Sequence, residues 1–228
     1  MKSESPVSFA VTCDSGERVT ALAYEATKPF AALVLGHGAG ADQHHPFMVG
    51  MAKRLAARGV ETITYNFVYT EKKRGMPDRT DVLEGCVRAV IREARARESP
   101  APKPLFVGGK SMGGRMASQV AAKSSEGIAG LVFLGYPLHP PKEPAKLRSA
   151  HLPSVTVPML FVQGERDTFG TPSELAPILA TLTKGTRIHV VAQGDHSFTV
   201  PKRAGVPQEK VLDDVADVIA EWMRETLE

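Results

Sequence analysis

Near the middle of the chain, Gly109-Lys110-Ser111-Met112-Gly113 sets a serine between two glycines. A short apolar run, PLFVG at 104–108, precedes it, and a helical pattern opens just past Ser111. A serine on such a strand-to-helix turn can be lifted above a sheet as a nucleophile. Glycine suits the crowded positions on either side, and Gly114 lets the helix approach the strand closely. The helix N-terminus brings free N–H groups and a positive dipole to the place where an oxyanion would develop. Two simpler readings fit less well. A phosphate-binding loop ending in GKS needs glycine at position 104, where Pro104 stands. A plain helix N-cap serine leaves the flanking glycines unexplained.

Serine is a poor nucleophile without an adjacent base, and the base needs a third group to orient it. Of the seven histidines, His196 lies between the last strand pattern and the last helix, in Gln193-Gly194-Asp195-His196-Ser197-Phe198. Gly194 can make the turn that aims His196 back over a sheet. The acid is expected after the preceding strand, in Gly164-Glu165-Arg166-Asp167. Asp167 is the choice and Glu165, nearer the strand end, its rival. Asp195 immediately precedes His196 and is poorly placed to reach its ring. With Met112 N–H as one oxyanion donor, the second should come from Gly36-His37-Gly38-Ala39-Gly40-Ala41, with Ala39 N–H favoured and Gly40 a near alternative.

The elements that must hold these residues alternate along the chain. Strand patterns fall at 7–12, 18–25, 31–35, 60–67, 104–108, 128–136, 158–164 and 186–192. Helical patterns fall at 47–58, 78–97, from just past Ser111 to Lys123, at 173–183 and at 208–227, with Pro177 a poor fit to the fourth. The segments 68–77 and 137–157 read as loops. Alternation of this kind predicts right-handed βαβ units: a mainly parallel eight-stranded sheet with helices on both faces and an antiparallel hairpin at one edge. Sites in such sheets lie at the carboxyl ends of the strands, where every candidate residue falls.

Composition narrows the function classes. The chain has 228 residues, 43% hydrophobic and 23% charged, and a net charge of +3. That reads as one globular domain over residues 1–228, with no compositional reason for a nucleic-acid partner. No apolar run is long enough for a membrane span. Two cysteines, Cys13 and Cys86, exclude a disulfide scaffold. The start, MKSESPVSFAVTCDSGE, lacks the apolar core of a secretion signal, so a cytoplasmic location is expected.

Taken together, HGAG after the third strand, GKSMGG at the serine turn, GERD after the seventh strand and GDHSF after the eighth resemble the α/β-hydrolase superfamily over almost the whole chain. VGGKSMGGR, YPLHPP and FVQGERDTFG look more specifically like small, lid-poor bacterial hydrolases akin to dienelactone hydrolases, a group also similar to subunits of a eukaryotic chromatin-modifying complex. The resemblance implies an α/β-hydrolase fold with a minimal lid, Ser111, Asp167 and His196 as a triad, Met112 and Ala39 as oxyanion donors, and hydrolysis through an acyl-enzyme without a cofactor. A small carboxylic ester is the expected substrate. Thioester and peptide cleavage use the same triad, and a non-catalytic scaffold for protein interaction is the alternative from another class. Dienelactone hydrolases proper carry a cysteine at the elbow where this chain has Ser111, so their lactone substrate does not carry over.

Other polar residues read as structural. Asp42, His44 and His45 lack a fourth ligand at a metal-binding spacing and are expected at the mouth of a pocket. His37 should hydrogen-bond within its turn, and Lys72-Lys73-Arg74 should face solvent. Lys110 and Arg115, beside the nucleophile, are expected to pair with surface acids rather than to admit an anionic substrate. His139 and His151 fall in the loop that should roof the site.

Overall fold

The computed structural model describes residues 5–97, 103–183 and 185–228. Eight strands form one sheet: β1 (Val7–Thr12), β2 (Arg18–Tyr24), β3 (Ala31–Gly36), β4 (Val60–Tyr65), β5 (Leu105–Lys110), β6 (Gly130–Leu134), β7 (Met159–Gly164) and β8 (Arg187–Val191). Their spatial order is β1-β2-β4-β3-β5-β6-β7-β8. The expected hairpin is at the edge: β1 pairs antiparallel with β2, and β2 antiparallel with β4. Every later pairing is parallel.

The helices are α1 (Pro46–Ala57), α2 (Val68–Glu71), α3 (Thr80–Ala96), α4 (Met112–Lys123), α5 (Pro172–Leu179) and α6 (Gln208–Leu227). Alternation along the central strands sorts them into two layers. Leu33 and Leu35 of β3, with Val132 and Leu134 of β6, pack on Met48, Met51 and Leu55 of α1 and on Val215, Ile219 and Trp222 of α6. Ala32 and Val34, with Leu131 and Phe133, pack on the other face against Leu83, Val87 and Val90 of α3 and Met116 and Val120 of α4. The two helix pairs therefore sandwich the sheet and fix the carboxyl ends of β3, β5, β6, β7 and β8 along one edge.

Two elements differ from expectation. The loop at 68–77 begins with the four-residue helix α2, which buries Val68 and Tyr69. One turn is too short to show helical periodicity. The helix expected at 173–183 ends at Leu179. A Thr171–Glu174 capping box starts it, and Pro177 inside it supplies no N–H for the helical ladder. The segment from Pro137 to Val157 contains only a short 3-10 turn, Leu152–Ser154.

Candidate active site

The serine turn is made by backbone contact. A Cβ on Gly109 would lie 2.5 Å from Gly36 O, and one on Gly113 would lie 2.3 Å from the same atom. Glycine at both positions lets the end of β5 and the start of α4 press on the end of β3. Gly114 serves the same closeness, since its Cβ would sit 2.7 Å from Gly109 O. Between them Ser111 has φ 50° and ψ −114°, outside the ordinary regions for an L-residue. Such a conformation costs about 1–3 kcal/mol. The Leu134 carbonyl of β6 accepts the Ser111 N–H at 3.1 Å and helps hold it. Ser111 stands at the N-cap position of α4, but its side chain makes no cap bond to the helix, so its hydroxyl is free for another partner.

Instead, Ser111 Oγ–H donates to His196 Nε2 at 2.9 Å. His196 Nδ1–H donates to Asp167 Oδ2 at 2.7 Å. The three residues arrive from the ends of β5, β8 and β7. Asp167 is 1% exposed and well supplied with donors: Gln163 Nε2 reaches Oδ2 at 2.8 Å and Phe169 N–H reaches Oδ1 at 2.8 Å. Phe169 also stacks against His196, ring centroids 4.3 Å apart. The His196 loop is shaped by Asp195, whose Oδ1 accepts the N–H groups of Ser197 and Thr199, both at 2.8 Å. Glu165 is turned elsewhere, its Oε2 accepting Gln193 N–H at 2.6 Å.

Gln163 was not singled out by sequence reasoning. It is fully buried in β7, where its amide also exchanges hydrogen bonds with the Tyr136 backbone and reaches Gly170 O. The available signal was one polar residue inside the apolar run PMLFVQG. The loops after β6 and β7 are thereby tied to the Asp167 carboxylate.

Ser111, Met112 and His196 open onto a cleft of about 540 Å³, also lined by Gly38, Ala39 and Gly40. Neither Met112 N–H nor Ala39 N–H has an acceptor among the described residues. The loop carrying Ala39 is locked from below. His37 Nδ1–H donates to Gly38 O at 2.8 Å, and its Nε2 accepts Phe67 N–H at 3.3 Å. Burial lowers the His37 pKa, so the ring stays neutral and keeps this donor–acceptor pattern.

The remaining candidates disperse. His45 Nδ1 accepts Phe47 N–H at the start of α1, and Asp42 accepts His44 N–H. His45 lines the cleft, and Asp42 and His44 do not. Lys72 pairs with Glu17 and Arg74 with Asp78, on the surface as expected. His139 bonds Pro140 O, His151 bonds Ser118 Oγ, and neither lines the cleft. The expectation for Lys110 and Arg115 is overturned. Both line the cleft, and neither makes an ion pair among the described residues. Lys110 closes a central strand buried on both faces, so its stem runs inward. Arg115 is one turn into α4, where side chains lean back toward the N-terminus and hence toward Ser111.

Residues 29–224 match the profile of a family described as an alpha/beta hydrolase domain. The chain belongs to that family. Among solved structures, this α/β hydrolase is similar to the esterase domain of a Rhodothermus marinus protein: 15% identity, TM-score 0.73, 97% of this chain and 99% of that one covered. It is also similar to a dienelactone hydrolase from Anabaena variabilis, at 18% identity and TM-score 0.75, over 97% and 99% of the two chains. An alpha-beta serine hydrolase homologue from Coxiella burnetii matches at 16% identity and TM-score 0.75, over 96% and 97%. At these identities the likeness is one of fold.

Proposed function

We propose that this α/β hydrolase cleaves small carboxylic esters through an acyl-enzyme on Ser111. The observation that carries the reading is the pair of hydrogen bonds running from Ser111 through His196 to Asp167. In this scheme His196 Nε2 takes the hydroxyl proton as Ser111 Oγ attacks the ester carbonyl. Asp167 holds the ring in the tautomer whose Nε2 is free to accept, and stabilises the imidazolium. Met112 N–H and Ala39 N–H donate to the oxyanion, consistent with two cleft-lining amides that lack internal acceptors. Collapse of the tetrahedral intermediate expels the alcohol, which receives the proton from His196. Water, deprotonated by the same ring, then releases the acid and restores Ser111.

The esterase and dienelactone hydrolase among the similar structures support ester chemistry, and the serine at the elbow separates this chain from a cysteine-based lactone hydrolase. The same reading treats residues 1–228 as one domain acting in the cytoplasm on a small-molecule substrate, without cofactor, metal, nucleic acid or membrane. No helix among the described residues is long and apolar enough to cross a membrane.

A fluorophosphonate probe tests the assignment and separates an enzyme from a scaffold. Intact-mass analysis should show one adduct, located on Ser111, and Ser111→Ala should lower ester turnover by about 10⁴-fold or more. An adduct forming at the full rate in Ser111→Ala would remove Ser111 from the mechanism.

A further inference from the structure

The acyl-transfer scheme leaves Lys110 unused, although it is the residue next to the nucleophile. The residue lines the cleft, yet its Nζ is sealed from solvent and meets no hydrogen-bond partner. No substrate group in the cleft can touch that ammonium. What it lies against is the triad. A Cβ on Gly135 would sit 3.1 Å from Lys110 Nζ and 3.2 Å from His196 Nδ1. The two nitrogens flank that one point, so at most about twice those distances separates them.

The other titratable groups around the pair are few. At the end of β7, Asp167 accepts His196 Nδ1–H and acts on Lys110 through space. Asp195, after β8, acts on Lys110 too, but its Oδ1 is held by the N–H groups of Ser197 and Thr199. After β6, the Tyr136 hydroxyl donates to Arg148 O, and burial raises its pKa, so it stays neutral. From α1 comes the uncharged Phe47 ring, 6.0 Å from Nζ, and at its start His45, whose Nδ1 accepts Phe47 N–H. Arg115 of α4, Arg148 of the roof and Asp78, which Arg74 holds, line the cleft.

We propose that Lys110 is a positioning residue for the base: its sealed ammonium repels a proton from the resting His196 ring and so keeps Nε2 free to accept from Ser111. The inference rests on the reading of Ser111, His196 and Asp167 as a triad. A second positive charge beside an unpartnered buried one is disfavoured, because no water stands between them to screen it. Burial lowers the Lys110 pKa to about 8, so the ammonium is the prevailing form over the range in which an ordinary histidine titrates. During attack the imidazolium forms together with an oxyanion, so the net charge of the site is unchanged and the repulsion felt at rest is offset in the transition state.

The test follows the rate at which a fluorophosphonate labels Ser111 as pH is raised from acid, a reaction that needs the neutral base but no particular ester. Lys110→Met keeps an unbranched stem and removes the charge. Its labelling curve should be displaced to higher pH by about one unit or more, the effect of losing a like charge roughly 6 Å away. On the acid side the variant should therefore label about tenfold more slowly at a given pH. A merely structural role would lower the plateau and leave the midpoint where it was. Lys110→Arg, which restores the charge, should return the midpoint toward that of the unaltered protein. Arg148→Gln removes a charge that water reaches and should move the midpoint far less. A folded Lys110→Met whose midpoint is unchanged or lower, with Ser111 still labelled, overturns the proposal and keeps the triad. Should that variant fail to fold, the unaltered protein decides. A midpoint set by sealed charges should hold steady as potassium chloride is raised to about 1 M, and one that moves with salt is set by exposed charges and overturns the proposal. Absence of an adduct on Ser111 at every pH overturns both readings.

Discussion

The turn that carries Ser111 and the segment that roofs it are built in opposite ways. At the turn, backbone touches backbone: Gly36, Gly109 and Gly113 leave no room for a single side-chain carbon. Over the cleft, Pro137–Val157 is held by a few long-range bonds, such as Tyr136 Oη–H to Arg148 O at 2.8 Å and Arg148 N–H to Leu138 O at 2.7 Å. Residues 141–147 within it are exposed. The first region sets atoms that must not move during bond making. On the proposed mechanism the second sets only which molecules reach them, so reaction type and substrate choice would have separate structural owners.

That division can be attacked from both sides. The largest effect is expected at the fixed side. Asp167→Asn should cut turnover by about 10⁴-fold while leaving the fold intact, because the amide no longer selects the His196 tautomer. Glu165→Gln, which loses part of one loop contact, should do far less; circular dichroism and steady-state rates check both, and the reverse ranking would move the acid to Glu165. Next, Gly113→Ala should lower the urea stability by about 3 kcal/mol or more, since its methyl carbon would meet Gly36 O at 2.3 Å. A wild-type midpoint in that variant would mean the turn is looser than its contacts imply. The smallest effect belongs to the roof. A segment of 21 residues with five prolines cannot build an enclosing cap with its own core. A fully enclosed methylene would add about fourfold to kcat/KM, from roughly 0.8 kcal/mol. Across p-nitrophenyl esters the gain per carbon should therefore vanish beyond about four acyl carbons. A steady fourfold rise to long chains would show that the roof encloses an acyl tunnel.

The regions also differed in how much the sequence disclosed. The elbow, the His196 loop and Asp167 were legible because each is local: a few residues at fixed spacing after a strand. The strand and helix pattern was legible for the same reason, from periods of two and 3.6. What escaped depends on contacts between distant segments. Gln163 reads as one more strand residue until the ends of β6 and β7 are brought together around it. Lys110 and Arg115 read as surface cations because composition carries no information on which way a side chain enters a cleft. Pro177 weakened the pattern of α5, yet the capping box at Thr171 keeps a shorter helix in place.

The contact of Gly36 with Gly109 and Gly113 has a consequence for heat inactivation. No rotatable side chain lies between the strand that leads into the Ala39 loop and the turn that carries Ser111, so no softer local joint can give way before the sheet does. Warming must part β3 from β5 to spoil their alignment, and those strands lie at the centre of the parallel sheet. Loss of the Ser111–Ala39 alignment in a temperature ramp should then follow the cooperative melting of the sheet, so any earlier loss of activity should trace to the His196 loop beyond the edge strand β8.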